Sequence, residues 1–239
     1  MENTLADEIQ QKALKWGADL IGFASVDRFK RYPPEHRPTH TFPEARTVIV
    51  LALNMVDPIL DIWIQAPPTT GVGRSTIGRA FEDEILQTIC YRLALFLQQC
   101  GVKSKVLGYE PGIYLKDAAV LAGLGVIGRN NLLITPQFGP RVRLRALAID
   151  KELPSKSIMT DNSYCKDCDE CVKACPVNAL ENGQFNRELC LTSSLHRRPI
   201  SPYTTLWCTR CSCVCPVGQR VPCDDTIKIV MDNKVQTSE

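Results

Sequence analysis

Apolar runs divide the first part of the chain into alternating strands and helices. Two short runs without helical period, 19–26 and 47–53, predict strands, and the second is aliphatic or β-branched throughout. Such a run is typical of a strand covered on both faces, so it predicts an inner position in an α/β sheet with helices on either side. A further strand is predicted over 102–107.

Helical periods lie between these strands. Residues 4–7 form a capping box in front of a helix that ends at Gly17. Apolar residues recur every three or four positions over 77–97, which predicts a long helix, and a shorter helix is predicted over 115–122. We therefore expect residues 1–158 to form one domain of the α+β or α/β class.

Basic side chains recur in two places, and each pattern has two interpretations. Residues 141–149 alternate, which places Arg141, Arg143 and Arg145 on one face of a strand. This face is either solvated or able to hold an anionic or carboxamide-rich ligand. The loop 28–41 carries four Lys and Arg residues among prolines, and a solvated loop is favoured there over a phosphate-binding patch.

Ten of the twelve cysteines fall within 165–223, and their spacing is that of iron–sulfur ligation. Residues 165–176 read Cys-x2-Cys-x2-Cys-x3-Cys-Pro, the bacterial ferredoxin motif. Because the fourth cysteine of this motif binds a second cluster, a second set of ligands is expected. That set occurs at 208–216, with Thr205 where a further cysteine is due and Cys190 as the natural replacement.

The crossed ligand rule then predicts two [4Fe–4S] clusters. The two ligand sets are Cys165, Cys168, Cys171 and Cys215, and Cys175, Cys190, Cys208 and Cys211. Cys213 and Cys223 are left over. A zinc ribbon or a disulfide framework is the disfavoured alternative, because neither explains two Cys-x3-Cys-Pro endings. Cys90 and Cys100 have no partners at ligand spacing and are expected to be buried or half-buried thiols of the long helix.

Composition narrows the classes of function. With 239 residues, a net charge of +2 and 44% hydrophobic residues, the chain has a sizeable core and no global basicity that indicates nucleic acid binding. The sequence has no apolar run after a basic start, and no stretch approaches about 18 apolar residues, so neither export nor a membrane span is expected. A cytoplasmic location is predicted, where thiols stay reduced and available to iron.

The glycines at 123, 125 and 128 match the pattern G-x-G-x-x-G. We reject the dinucleotide-binding interpretation, because that fingerprint needs a strand before it and a helix after it. Here a helix is predicted before it, and residues 130–134 do not look helical. The glycines either let a large flat ligand approach the backbone or form a tight helix-to-strand turn.

Several stretches together resemble a known family. Residues 17–24, 42–53 and 116–133, followed by the two-cluster cysteine pattern, are similar to the epoxyqueuosine reductases and, more distantly, to the reductive dehalogenases. The resemblance runs over nearly the whole chain. Its most specific parts are residues 122–133 and the displaced Cys190.

The resemblance implies a fold, a cofactor and a set of cofactor contacts. A nitroreductase-like α/β domain at 1–158 would bind base-off cobalamin against a ferredoxin-like two-cluster module at 159–225, with a tail at 226–239. The clusters would feed electrons to the cobalamin. The residues that the resemblance assigns to cofactor binding are Lys116, Gly123, Gly125, Gly128, Arg129, Asn130, Asn131 and Leu132.

Two departures from the family bear on function. The family's acidic proton donor lies seven residues before the position of Lys116, where this chain has Tyr109 followed by Glu110. A tyrosine is similar to the donor of the dehalogenases, so Tyr109 is the first catalytic candidate and Glu110 the alternative. Lys116 or Arg129 would lower the tyrosine pKa if either lay close. The tRNA-modifying members also continue into helical repeats, and this short form, which ends in a polar tail, weighs against a tRNA substrate.

The resemblance therefore favours a cobalamin-dependent iron–sulfur reductase. One alternative is a non-catalytic corrinoid-binding carrier that reduces or activates another corrinoid protein, and a second is a plain two-cluster electron-transfer protein. The expected partners are an external electron donor such as ferredoxin or flavodoxin, together with a small-molecule or modified-tRNA substrate.

Overall fold

The computed structural model describes residues 4–55, 63–64, 81–108, 112–193, 198–201, 204–206 and 208–218. The helices are α1 (Leu5–Lys15), α2 (Pro38–Thr41), α3 (Phe81–Gln99), α4 (Leu115–Leu121), α5 (Glu170–Lys173), α6 (Arg187–Leu191) and α7 (Arg210–Cys213). The strands are β1 (Leu20–Ser25), β2 (Thr47–Asn54), β3 (Trp63–Ile64), β4 (Ser104–Leu107), β5 (Val126–Ile127), β6 (Leu133–Ile134), β7 (Val142–Ile149), β8 (Arg198–Ser201) and β9 (Thr204–Leu206).

The main sheet has four strands in the order β1-β2-β7-β4, and every neighbouring pair is antiparallel. The predicted inner position of β2 is confirmed, and residues 47–52 are all buried. The α/β expectation was wrong in one respect, because the sheet is antiparallel and the fold is therefore α+β. The continuous apolar run arises because helices cover both faces of the sheet, which an antiparallel strand also permits.

Two hydrophobic cores lie on opposite faces of this sheet. On one face α1 and α3 pack against alternate residues of β2, including Ile49 and Leu51. On the other face α4 packs against Val48 and Val50. The second core positions the glycine-containing segment, because α4 leads directly into it.

The predicted helices are confirmed where the structure describes them. Thr4 caps α1, and its side chain accepts a hydrogen bond from the backbone of Asp7 while the Asp7 side chain accepts one from the backbone of Thr4. The long helix is present from Phe81, and residues 77–80 of that prediction lie outside the described ranges. Within those ranges, no helix has the length and apolar character needed to cross a membrane.

The two cysteines of the long-helix prediction differ. Cys90 is buried in α3, as expected, and burial raises the pKa of its thiol to about 12. Cys100 is exposed, and the helix ends one residue before it, at Gln99. The expectation of a buried or half-buried thiol was therefore wrong for Cys100, because it lies in the turn that leaves the helix.

The rejection of the dinucleotide-binding interpretation is confirmed. The glycine pattern follows helix α4 rather than a strand, and it leads into a small antiparallel hairpin formed by β5 and β6. We call residues 125–134, which contain both strands and their connection, the hairpin.

The close packing of α4 on the sheet depends on Gly22 of β1. A Cβ atom at this position would lie 2.5 Å from the carbonyl oxygen of Ala122 and 3.0 Å from a methyl group of Leu124. Both neighbours belong to the end of α4 and the turn after it. A glycine is therefore required for this approach.

Gly22→Ala is expected to lower the free energy of unfolding by about 1–3 kcal/mol, because the added methyl group forces the end of α4 away from β1. Denaturant unfolding followed by circular dichroism measures this change. Ser104→Ala on the opposite edge strand is the control and should change the stability by less than about 0.5 kcal/mol. An unchanged midpoint for Gly22→Ala would contradict the contact.

Candidate iron–sulfur and cofactor site

The predicted ligands of the first cluster lie close together in the cysteine segment, residues 159–225, although Cys215 is distant from the other three in sequence. Burial raises the pKa of the Cys171 thiol, and the thiolates of Cys165, Cys215 and Cys168 raise it further. Burial also raises the pKa of Cys215, and Cys165 and Cys168 are among its charged neighbours. These four thiols therefore share one electrostatic environment.

The other four predicted ligands form a second group. Burial raises the pKa of Cys190, and the thiolates of Cys208 and Cys175 add to the shift. Burial is also the main reason why the pKa of Cys211 is raised to about 12. All four sulfur-bearing side chains line a single cavity, together with apolar residues such as Leu180. The fold thus brings the four members of this predicted set together, including Cys190 in the displaced position.

The chemistry of these groups favours a charged inorganic partner. Buried thiolates are costly unless a positive charge neutralises them, and the iron ions of a cluster supply such a charge. The backbone N–H of Ala179 also donates a hydrogen bond of 3.2 Å to Cys175 Sγ, a contact of the kind that tunes cluster potentials. Among the described residues, no three or more His, Cys, Asp or Glu side chains converge as the ligands of a single metal ion do, and a [4Fe–4S] cluster does not require this, because each thiolate binds a different iron.

The ligand spacing left two cysteines, Cys213 and Cys223, outside both predicted sets. Cys213 is disulfide-bonded, and its Sγ lies 3.5 Å from Thr209 Oγ1. Cys223 lies outside the described residues.

Arg141 corrects the prediction of an arginine-lined strand face. It precedes β7 and is only 1% exposed, so the solvated-face interpretation is wrong for it. Its guanidinium donates hydrogen bonds to the carbonyl oxygens of Ser212 (3.1 Å), Cys215 (3.4 Å) and Val217 (2.8 Å). The alternation of residues 141–149 did not reveal these contacts, because it does not show that β7 begins only at Val142, after Arg141.

The other basic residues also make contacts within the protein. Arg145 lies 3.5 Å from Asp83 in a largely buried ion pair. In the loop 28–41, Arg28 donates to the carbonyl oxygens of Leu121 and Lys156. The loop is therefore held to the end of α4 rather than simply solvated.

The glycines of the pattern are explained by packing within the chain. Gly123 ends α4 with a positive φ of 73°. A Cβ atom at Gly125 would collide with the carbonyl oxygen of Ile134, and one at Gly128 would lie 2.7 Å from the Ile134 side chain. The tight-turn interpretation therefore accounts for Gly125 and Gly128.

An open cleft of about 780 Å³ lies between α4 and the hairpin. Its lining residues are Tyr32, His36, Ile113, Tyr114, Leu115, Lys116, Asp117, Ile127 and Asn131. Lys116 Nζ donates a hydrogen bond to the carbonyl oxygen of Asn131, and burial lowers the pKa of its ammonium group. Of the predicted cofactor residues, Lys116 and Asn131 thus face the cleft.

Apart from Gly123 at the end of α4, the remaining predicted residues lie within the hairpin, and two of them contact the cysteine segment. Asn130 is buried and donates from Nδ2 to the carbonyl oxygen of Cys211 at 3.3 Å. Arg129 is exposed and donates to the carbonyl oxygen of Lys166 at 3.1 Å. The backbone N–H of Leu132 donates to Asn130 Oδ1 within the hairpin. The hairpin therefore has one side on the cleft and the other on the cysteines.

Both predicted catalytic residues, Tyr109 and Glu110, lie outside the described residues. The cleft instead contains an aromatic group that the sequence did not single out. The ring centroids of His36 and Tyr114 are 4.2 Å apart, and the hydroxyl of Tyr32 donates a hydrogen bond of 2.9 Å to Asp117. No spacing motif could have identified these residues, because Tyr32 and His36 come from the loop 28–41 and Tyr114 comes from the start of α4.

Comparison with known proteins places this geometry in a family. A family model for a 4Fe-4S binding domain matches residues 158–181. The tetrachloroethene reductive dehalogenase of Desulfitobacterium hafniense is 31% identical over 175 residues, which cover 70% of this chain and 30% of the dehalogenase. The chain thus spans less than a third of that relative. The epoxyqueuosine reductase of Lactococcus garvieae is 30% identical over 254 aligned residues, which cover 91% of this chain and 71% of the reductase.

Solved structures show the same fold. An epoxyqueuosine reductase determined with an epoxyqueuosine-modified tRNA-Tyr stem loop matches with a TM-score of 0.66 and 23% identity, covering 89% of this chain and 64% of that one. A reductive dehalogenase described in terms of B12-dependent dehalogenation matches with a TM-score of 0.63 and 18% identity, covering 95% of this chain and 33% of that one. With the identity to the Lactococcus garvieae enzyme over most of both chains, these findings establish that the chain belongs to the epoxyqueuosine reductase family.

Proposed function

We propose that this protein is a cobalamin-dependent iron–sulfur reductase, in which two [4Fe–4S] clusters pass electrons to a corrinoid in the cleft. The position of the hairpin is the observation that carries the proposal. Ile127 and Asn131 line the cleft, whereas Asn130 contacts the backbone of Cys211. An electron leaving the cysteine segment would thus have only the hairpin to cross.

The two groups of thiols support the proposal of two clusters. Each group contains four cysteines that come from two or three separate stretches of the sequence and lie close in space. Cys171 of the first group is among the charged neighbours of Cys211 in the second, so the two groups adjoin. Adjacent clusters suit transfer of electrons from one to the next.

The shape and lining of the cleft support a corrinoid as the recipient. Its volume of about 780 Å³ lies toward the upper end of small-molecule sites. Bound there, cobalamin would supply a cobalt centre that takes up electrons and reduces the substrate. The chain would hold it between a nitroreductase-like domain, residues 1–158, and a ferredoxin-like module, residues 159–225, with a tail at 226–239.

A proton source is also needed for such a reduction, and Tyr109 remains the first candidate, with Glu110 the alternative. The partly buried ammonium group of Lys116 is on the cleft side and would favour ionisation of a nearby tyrosine. Arg129 is a weaker candidate for this role, because its guanidinium contacts Lys166 on the side of the cysteines.

Substrate and partners follow from the relatives only as proposals. We propose an external one-electron donor of the ferredoxin or flavodoxin class. The relatives are named for an epoxyqueuosine substrate and for tetrachloroethene. A modified tRNA and a small organic molecule are therefore the two substrate classes to assay, and turnover of either separates an enzyme from a carrier that only reduces another corrinoid protein.

The wild-type protein, purified without oxygen, is expected to contain about eight iron and eight sulfide ions per chain. Cys190→Ser should reduce the iron content to about four, because it removes a ligand of one cluster only. Iron and sulfide analysis measures both values. Cys100→Ser is the control, because Cys100 is exposed and has no other cysteine at ligand spacing. This variant should retain all the iron. Zinc in place of iron would overturn the proposal.

Added cobalamin is expected to bind the wild-type protein and to change to a base-off absorption spectrum. Ile127→Trp should weaken this binding at least tenfold, roughly 1.4 kcal/mol, because the indole would occupy the cleft. Its iron content should not change. Leu95→Trp, in a groove beside α3 on the other face of the sheet, is the control. The absence of any spectral change with cobalamin in the wild type would rule out this cofactor.

A further inference from the structure

Arg141 is the buried cation that joins the sheet domain to the cysteine segment. It is among the largest fully buried side chains of the described residues. Its guanidinium donates to the carbonyl oxygens of Ser212, Cys215 and Val217. One side chain therefore holds the main chain before and after Cys215, a predicted cluster ligand. Five N–H donors in a rigid plane suit this task, whereas a lysine offers a single point of charge.

The backbone around Arg141 also lies close to the cysteine segment. Gly139 and Gly218 both have positive φ, and a Cβ atom at Gly139 would collide with the carbonyl oxygen of Val217. Thr135 closes the turn that leads to Arg141, because its backbone N–H donates to the carbonyl oxygen of Gly139 and its own carbonyl oxygen accepts from the Gly139 N–H. The loop therefore meets the cysteine segment backbone to backbone, in a fixed orientation.

A buried guanidinium also needs a compensating negative charge. The thiolate of Cys215 can supply this charge, since Arg141 Nη1 lies 3.4 Å from the carbonyl oxygen of that residue. Cys215 is itself buried and packs against Val126 and Ile134 of the hairpin. The positive charge thus lies beside the thiol group that is next to the hairpin.

We propose that Arg141 is a positioning residue for the cluster bound by Cys215 and that its charge raises the reduction potential of that cluster. The inference rests on the proposed ligation of two clusters. When such a cluster takes up one electron from a reduced donor, its negative charge increases by one. A fixed cation in a water-poor site stabilises the more negative state, so it favours reduction of this cluster.

The test is a potentiometric titration of the anaerobic holoprotein with redox mediators, followed by electron paramagnetic resonance. The wild type is titrated first, and two reducible clusters are expected. If it holds fewer, the proposed function fails before any variant is compared. Cys215→Ser and Cys190→Ser then identify the signal of each cluster.

Arg141→Gln is expected to make the Cys215 cluster harder to reduce, while the Cys190 cluster titrates as in the wild type. At the wild-type midpoint the ratio of reduced to oxidised cluster should fall about tenfold, which is 59 mV for a one-electron couple. Arg145→Gln is the matched control, because it removes a largely buried guanidinium that pairs with Asp83 instead. It should leave both potentials unchanged.

Arg141→Lys separates charge from positioning. It should keep the potential near the wild-type value, yet lose the Cys215 cluster to a chelator at least about fivefold faster, because the forked hydrogen bonds are gone. If Arg141→Gln cannot retain that cluster, this second variant decides the question. The inference is overturned if Arg141→Gln retains both clusters at wild-type potentials, if it shifts only the Cys190 cluster, or if Arg141→Lys matches the wild type in chelator resistance.

Discussion

The contact between the hairpin and the cysteine segment is the constraint on which the candidate site depends. Side chains cross this contact in both directions: Asn130 donates to the backbone of Cys211, and Asn162 donates to the carbonyl oxygen of Ile127 at 2.8 Å. These bonds end on main-chain atoms, so they fix the path of the backbone. The cysteines and the cleft therefore lie on opposite sides of one short piece of chain.

The burial of the cysteine thiols determines which ligand this arrangement can bind. The thiols of Cys171, Cys211 and Cys215 have raised pKa values, and burial is the first cause in each case. Their charged forms are costly without a positive partner. Cluster iron would supply such a partner for each group, and Arg141 adds a fixed cation next to Cys215. The same burial that disfavours free thiolates would exclude water from bound clusters.

The sequence predicted those parts of the molecule that rest on local rules. The capping box at Thr4 follows from residue spacing, the inner position of β2 from its continuous apolar run, and the grouping of the cysteines from the ferredoxin motif, and each agrees with the fold. The direction of the strands was harder to predict, because burial on both faces produces the same apolar run in parallel and antiparallel sheets. The role of Arg141 and the aromatic residues of the cleft were missed, because both depend on contacts between segments that are far apart in sequence. Tyr109 and Glu110 rest on the family resemblance alone.

Because only the hairpin is proposed to separate a bound corrinoid from the clusters, the two should interact magnetically. Electron paramagnetic resonance of the holoprotein would be recorded with paramagnetic cobalamin bound, before and after the clusters are reduced. We expect reduction of the clusters to broaden or split the corrinoid signal, or to abolish it where the electron passes on to the cobalt. A corrinoid signal that is identical in both states, in protein shown to hold both clusters, would contradict this expectation.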